Sequence, residues 1–91
     1  MNKSTTDALT AHAACIRNQT DLATEQTCGC FYCQRIYSST ELKDDDFMQE
    51  SDGSYTACCP YCGIDSVIGE MQGYEITPAL LAEMRKVWFD S

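Results

Sequence analysis

The sequence predicts a small α+β fold, with short antiparallel strands at its centre and a helix at each end. Three observations predict it. Two C-x-x-C pairs, Cys30-Phe31-Tyr32-Cys33 and Cys59-Pro60-Tyr61-Cys62, are separated by 25 residues. Strand-forming runs border both pairs. The last segment carries a helix start at Thr77-Pro78, followed by apolar residues at helical spacing. A chain of 91 residues buries only a modest core, so a cross-link between the two pairs would supply much of the stability.

The elements follow in order. Residues 4 to 24 read as a helix, with Ser4 and Asp7 at capping-box spacing and Leu9, Ala13, Ile16 and Ala23 near one face. Ala8, Cys15 and Leu22 lie beside that stripe. It is weak and alanine-rich, which suits light packing on the rest of the chain or a dimer contact. The expected division is therefore an N-terminal helix over 1–26 and a second unit over 27–91. Thr27 to Gln34 carries the first cysteine pair, and Arg35-Ile36-Tyr37 continues as a strand. Ser38 and Glu41 have capping-box spacing for a short acidic helix from Glu41 to Glu50, presenting Leu42 and Phe47. Ser51-Asp52-Gly53-Ser54 is a turn cluster. Tyr55 to Cys58 reads as a strand entering the second pair, Ser66-Val67-Ile68 as another, and Gly69 to Gly73 as a loop. In the closing helix Thr77 is the N-cap and Pro78 suits the first position. Leu81, Met84, Val87 and Trp88 form its buried stripe, backed by Leu80, while Arg85 and Lys86 suit the negative end of the helix dipole.

The paired spacing points to a tetrahedral ion. Two C-x-x-C turns present four sulfurs from two directions, which is the layout of a zinc ribbon with one Zn²⁺ per chain held by Cys30, Cys33, Cys59 and Cys62. Pro60 stiffens the second turn, and Gly63 can take the positive φ that carries the chain past the metal. Four thiolates also bind iron, as in a rubredoxin-like site, and zinc is the preferred reading. Cys28 could compete with Cys30, and Cys58 with Cys59, although Cys59 alone has the proline and glycine context. Cys15 reads as a small core residue. Seven cysteines are an odd number for a disulfide framework, and their clustering favours metal over disulfides.

Other residues invite two readings each. His12 could be a general base, but no nucleophile stands at a recognisable spacing, so surface or packing is the plainer role. Asp65-Ser66 could form an acidic site or an Asx-type turn supporting the second pair. Asp44, Asp45 and Asp46 could dock a basic partner or simply be solvated. Phe31, Tyr32 and Tyr61, at the tips of the pairs, could meet a partner or wrap the metal.

The stretch from Cys28 to Cys33, then Cys59-Pro60-Tyr61-Cys62-Gly63-Ile64-Asp65-Ser66-Val67-Ile68-Gly69, then Gly73-Tyr74 and a closing helix ending Trp88-Phe89, resembles a family of small bacterial cytoplasmic proteins with no assigned role. The resemblance spans roughly residues 27 to 90. It implies a zinc-ribbon core with a C-terminal helix and a metal role for the same four cysteines.

Charge and composition narrow the function. The formal charge is −8, from six basic and fourteen acidic residues, and the basic ones are scattered. That argues against gripping DNA or RNA phosphates and leaves a protein partner, basic for preference. A closed four-sulfur shell leaves no position for a catalytic water, so no enzyme activity is expected. The expected role is a non-catalytic protein-interaction module, one version being an inhibitor or immunity-type regulator that masks a basic protein. A nucleic-acid-binding ribbon and a thiol redox protein are the alternatives. No apolar run approaches the ~20 residues of a membrane span. The N-terminus lacks an export-type apolar block, so a reducing cytoplasm is the expected compartment.

Overall fold

The computed structural model describes residues 8–89. Strand β1 (Thr27–Cys30) is central. It pairs antiparallel with β2 (Ile36–Ser38), placing Cys28 opposite Tyr37. On its other edge it pairs antiparallel with the strand Val67–Gly69, placing Cys30 opposite Val67. Between them in sequence, β3 (Phe47–Gln49) and β4 (Tyr55–Ala57) form a separate two-stranded sheet, Phe47 opposite Ala57. Val67–Gly69 is thus β5, and the three-stranded sheet runs β2-β1-β5. The fold is an α+β zinc ribbon: two cysteine turns on short antiparallel strands, flanked by helical segments.

Strand alternation gives the sheet two different faces. Cys28, Cys30 and Val67 point into one buried cluster with Leu22, Tyr37, Ala57 and Cys59. Ile68 points into the other, with Phe31, Leu80, Leu81, Met84, Ala8, Ala11 and Cys15. The C-terminal helix, Pro78–Trp88, covers this second face. Thr77 caps it as expected, its hydroxyl accepting the Leu80 amide at 3.1 Å. Gly29 lets the helix approach: a methyl group there would meet Ile76 Cγ2 at 2.8 Å and a Leu81 methyl at 2.9 Å. Leu80, Leu81 and Met84 are fully covered. Trp88, expected in the same stripe, is instead 38% exposed. It sits at the helix end, stacks on His12 at 4.0 Å and donates its indole N–H to the Ala8 carbonyl at 2.9 Å. His12 is therefore exposed packing surface.

Two expected helices are shorter. The Ser4–Asp7 cap lies outside the described residues. From Ala8 the chain is helical to Ala11, tightens into a 3₁₀ turn over His12–Cys15 and ends at an extended Ile16, where residue 24 was the expected limit. Asn18 is the reason. Its buried amide donates to the Val67 carbonyl at 2.9 Å and the Ala14 carbonyl at 3.2 Å, and accepts from the Ala57 amide at 2.9 Å. One side chain thus ties β5 to β4, using bonds that a continued helix would forgo. The acidic helix over Glu41–Glu50 is replaced by 3₁₀ turns at Ser39–Glu41 and Asp44–Asp46, then β3. Side chains bond their own backbone there: Ser38 accepts from Thr40 N at 3.2 Å and Asp46 from Lys43 N at 2.9 Å. Such local bonds compete with helix propagation, and Leu42 and Phe47 reach the buried cluster without a helix. Among the described residues no helix is long and apolar enough to cross a membrane.

Candidate metal centre

The two cysteine turns are near-copies. In each, the residue after the second cysteine donates its amide to the first cysteine's carbonyl at 2.8 Å: Gln34 to Cys30, Gly63 to Cys59. In each, the first cysteine's amide donates to a carbonyl five residues on, Arg35 or Ile64, at 3.0 and 2.9 Å. In each, the middle tyrosine's amide points at the first sulfur, Tyr32 to Cys30 and Tyr61 to Cys59, both at 3.4 Å. Both turns close through a left-handed residue, Gln34 at φ 65° and Gly63 at φ 80°. The positive φ expected at Gly63 is present.

The turns face each other. The sulfurs of Cys30, Cys33, Cys59 and Cys62 all lie within 4.8 Å of one another. Cys30 and Cys62 approach to 3.6 Å, Cys33 and Cys59 to 3.7 Å. A tetrahedral ion with metal–sulfur bonds of about 2.3 Å sets sulfurs about 3.8 Å apart. The donor set therefore fits a soft four-coordinate ion. Among the described residues this is the one cluster of three or more potential metal ligands. Cys15, Cys28 and Cys58 lie outside it, and all seven cysteines are free of disulfides.

The electrostatics support the same fit. Burial raises the Cys33 thiol and pushes Cys62 up to about 12. Burial opposes ionisation of Cys59 too, but the Tyr61 and Cys62 amides, with Tyr37 and Cys33 beside it, bring it below the ordinary thiol value. Four neighbouring thiols cannot all ionise in a half-buried pocket unless a cation offsets the repulsion. Outside the cluster, burial pushes Cys28 up to about 12 and Cys15 to about 11, so both are held as neutral thiols.

The residues expected to meet a partner separate. Phe31 is turned inward, 1% exposed, and is a core residue of the helix-covered face. The alternation Cys28-Gly29-Cys30-Phe31 holds the signal for this: with the cysteines on the metal side, Phe31 falls on the helix side. Tyr32 is partly covered, with the Arg85 guanidinium over its ring at 4.4 Å and Phe89 at its edge. Arg85 also donates to the Tyr32 carbonyl. Tyr61 stays half exposed. Its hydroxyl donates to Glu41 and Arg35 lies over its ring at 4.6 Å. Asp44 and Asp45 are exposed, and Asp46 is partly covered. Tyr61 and Asp46 meet across an open concavity of about 350 Å³, lined also by Glu41, Lys43 and Pro60. Glu41 and Lys43 were not anticipated there. They reach it only because the chain between Ser38 and Phe47 folds as tight turns.

A closed set of four cysteine sulfurs on paired turns defines a zinc-binding domain. A protein-family model described as a RING/Ubox like zinc-binding domain matches residues 7–84, and the chain belongs to that family. The match crosses residues 26 and 27, taking in the N-terminal helical segment. No curated protein and no solved structure matches the chain.

Proposed function

We propose that the chain holds one Zn²⁺ through Cys30, Cys33, Cys59 and Cys62, and that it works without catalysis by binding another protein. The closed sulfur shell carries this reading. Every tetrahedral position is filled by a thiolate, so the ion offers no open site to a water or substrate and serves the fold. Binding then falls to the surface. The formal charge of −8 becomes about −10 once four thiolates bind one divalent ion, which favours a basic partner. The concavity beside the second turn supports the same choice: Pro60 and Tyr61 offer an apolar wall for a lysine or arginine stem, and Glu41 and Asp46 supply carboxylates. An inhibitor or immunity-type regulator masking a basic surface is one form of this role. Seven unpaired cysteines suit a reducing compartment such as the cytoplasm. A nucleic-acid role is weaker because the six basic residues are scattered along an acidic chain.

Two measurements test this. Elemental analysis of native protein should give one zinc per chain, lost in Cys59→Ser. An arginine-rich peptide should bind with salt-dependent affinity, weakened by Tyr61→Ala and by Asp46→Asn. Tighter binding to single-stranded DNA or RNA than to such a peptide at physiological salt would reverse the choice. Turnover of a substrate that survives loss of zinc would overturn it.

A further inference from the structure

We infer that Ser66 is a hydroxyl donor to the zinc thiolate of Cys30, and that it acts as a positioning residue for the ion. This rests on the reading that the four sulfurs hold zinc.

Ser66 and Cys30 are both buried, and Ser66 Oγ lies 2.9 Å from Cys30 Sγ. When Cys30 is a thiolate its sulfur has no proton, so the hydroxyl must donate. The Ser66 backbone is fixed for the purpose. Its amide donates to the Ile64 carbonyl at 2.9 Å and its carbonyl accepts from Phe31 N at 3.0 Å, locking the residue between the two turns.

The result is an unequal site. Cys30 is buried and has a hydroxyl beside it, whereas Cys33 and Cys62 are partly exposed. A donated hydroxyl stabilises the thiolate against protonation, so Cys30 becomes the firm ligand. Cys33 and Cys62 become the ones that leave first or react first.

The test uses the zinc-loaded full chain with Ser66→Ala, Ser66→Cys, Ser66→Thr and the exposed control Tyr55→Phe. Zinc affinity is read by competition with a chromophoric chelator, and the thiolate-to-metal absorption band is read after Co²⁺ substitution. Outer-shell partners of metal ligands are worth roughly 10–100-fold in affinity. Ser66→Ala should weaken zinc about tenfold and move the cobalt band to lower energy, while Tyr55→Phe changes neither and Ser66→Thr keeps the wild-type values. Ser66→Cys keeps the bulk with a weaker donor, so it carries the test if Ser66→Ala does not fold. An unmoved band with affinity within twofold of wild type in Ser66→Ala, or in Ser66→Cys where that variant carries the test, would overturn the hydroxyl role. Absence of any thiolate band in the wild type would overturn the zinc reading beneath it.

Discussion

Gln34 and Gly63 occupy equivalent positions with nearly the same backbone, and only one of them is suited to it. Each follows the second cysteine of its turn and donates its amide to the first cysteine's carbonyl at 2.8 Å, at φ 65° and 80°. For a residue with a Cβ this left-handed conformation costs roughly 1–2 kcal/mol. Replacing Gln34 by glycine removes that cost and returns about 0.4–1 kcal/mol of unfolded-chain entropy. The Gln34 side chain is exposed, so the change loses no packing. Gln34→Gly should therefore stabilise the metal-loaded protein by about 0.5–1 kcal/mol. The reverse experiment is equally clean. A methyl group at Gly63 would meet nothing within 4 Å, so Gly63→Ala is a backbone effect alone and should destabilise by about 1 kcal/mol. Reversible denaturant melts at saturating zinc measure both. A Gln34→Gly variant less stable than wild type by more than about 0.5 kcal/mol would refute the equivalence of the two turns.

Two further outcomes follow from the core and the buried thiols. Met84→Ala should cost about 2–5 kcal/mol, because the side chain is fully covered, whereas the half-exposed Trp88→Ala should cost about 2 kcal/mol or less; paired melts check the order. Burial holds the Cys15 thiol near 11 while the unfolded chain ionises near 9, so the native state favours the neutral form. That contribution is complete below pH 9 and is lost as pH rises towards 11, so Cys15→Ala should flatten the alkaline fall in stability seen in wild type.

The features legible in the sequence are those encoded within a few residues. The cysteine spacing gives both turns, Thr77-Pro78 gives the last helix start, and Gly63 gives the left-handed step. Each is decided by local sterics and local hydrogen bonds. Features decided across the chain were not legible. Asn18 ends the first helix because its amide is shared between Val67 and Ala57, 49 and 39 positions away. A polar residue after a weak apolar stripe gives no sign of such partners. The acidic segment misleads for the opposite reason: its capping-box spacing is real, yet Glu41 binds the Tyr61 hydroxyl instead of capping a helix. Trp88 fits the helical stripe, but its ring packs on His12 and bonds the Ala8 carbonyl, a cover that leaves it 38% exposed.

The two buried clusters should also respond differently to loss of zinc. Three of the seven buried residues on the metal side are cysteines, and Cys33 and Cys62 pack against them. The rest of that side is Leu22, Tyr37, Ala57 and Val67, with Tyr32, Leu42 and Phe47 only partly buried against them. The helix side holds Phe31, Ile68, Leu80, Leu81 and Met84, each a large apolar side chain. Chelation unties the turns and leaves four thiols without their ion, so the metal side has little else to hold it. The N-terminal segment joins the two sides through Asn18, and its bonds to β4 and β5 should be lost with the hairpin. Amide exchange with and without a strong chelator should therefore show protection vanishing first over β2, β3 and β4, and last over β5 and the C-terminal helix. The thermal transition should become broad and low, because the surviving core is too small to fold the chain cooperatively. An unchanged melt after verified zinc removal would mean the helix-side core suffices by itself. Loss of protection everywhere at once would mean that the metal and the hydrocarbon stabilise one indivisible unit.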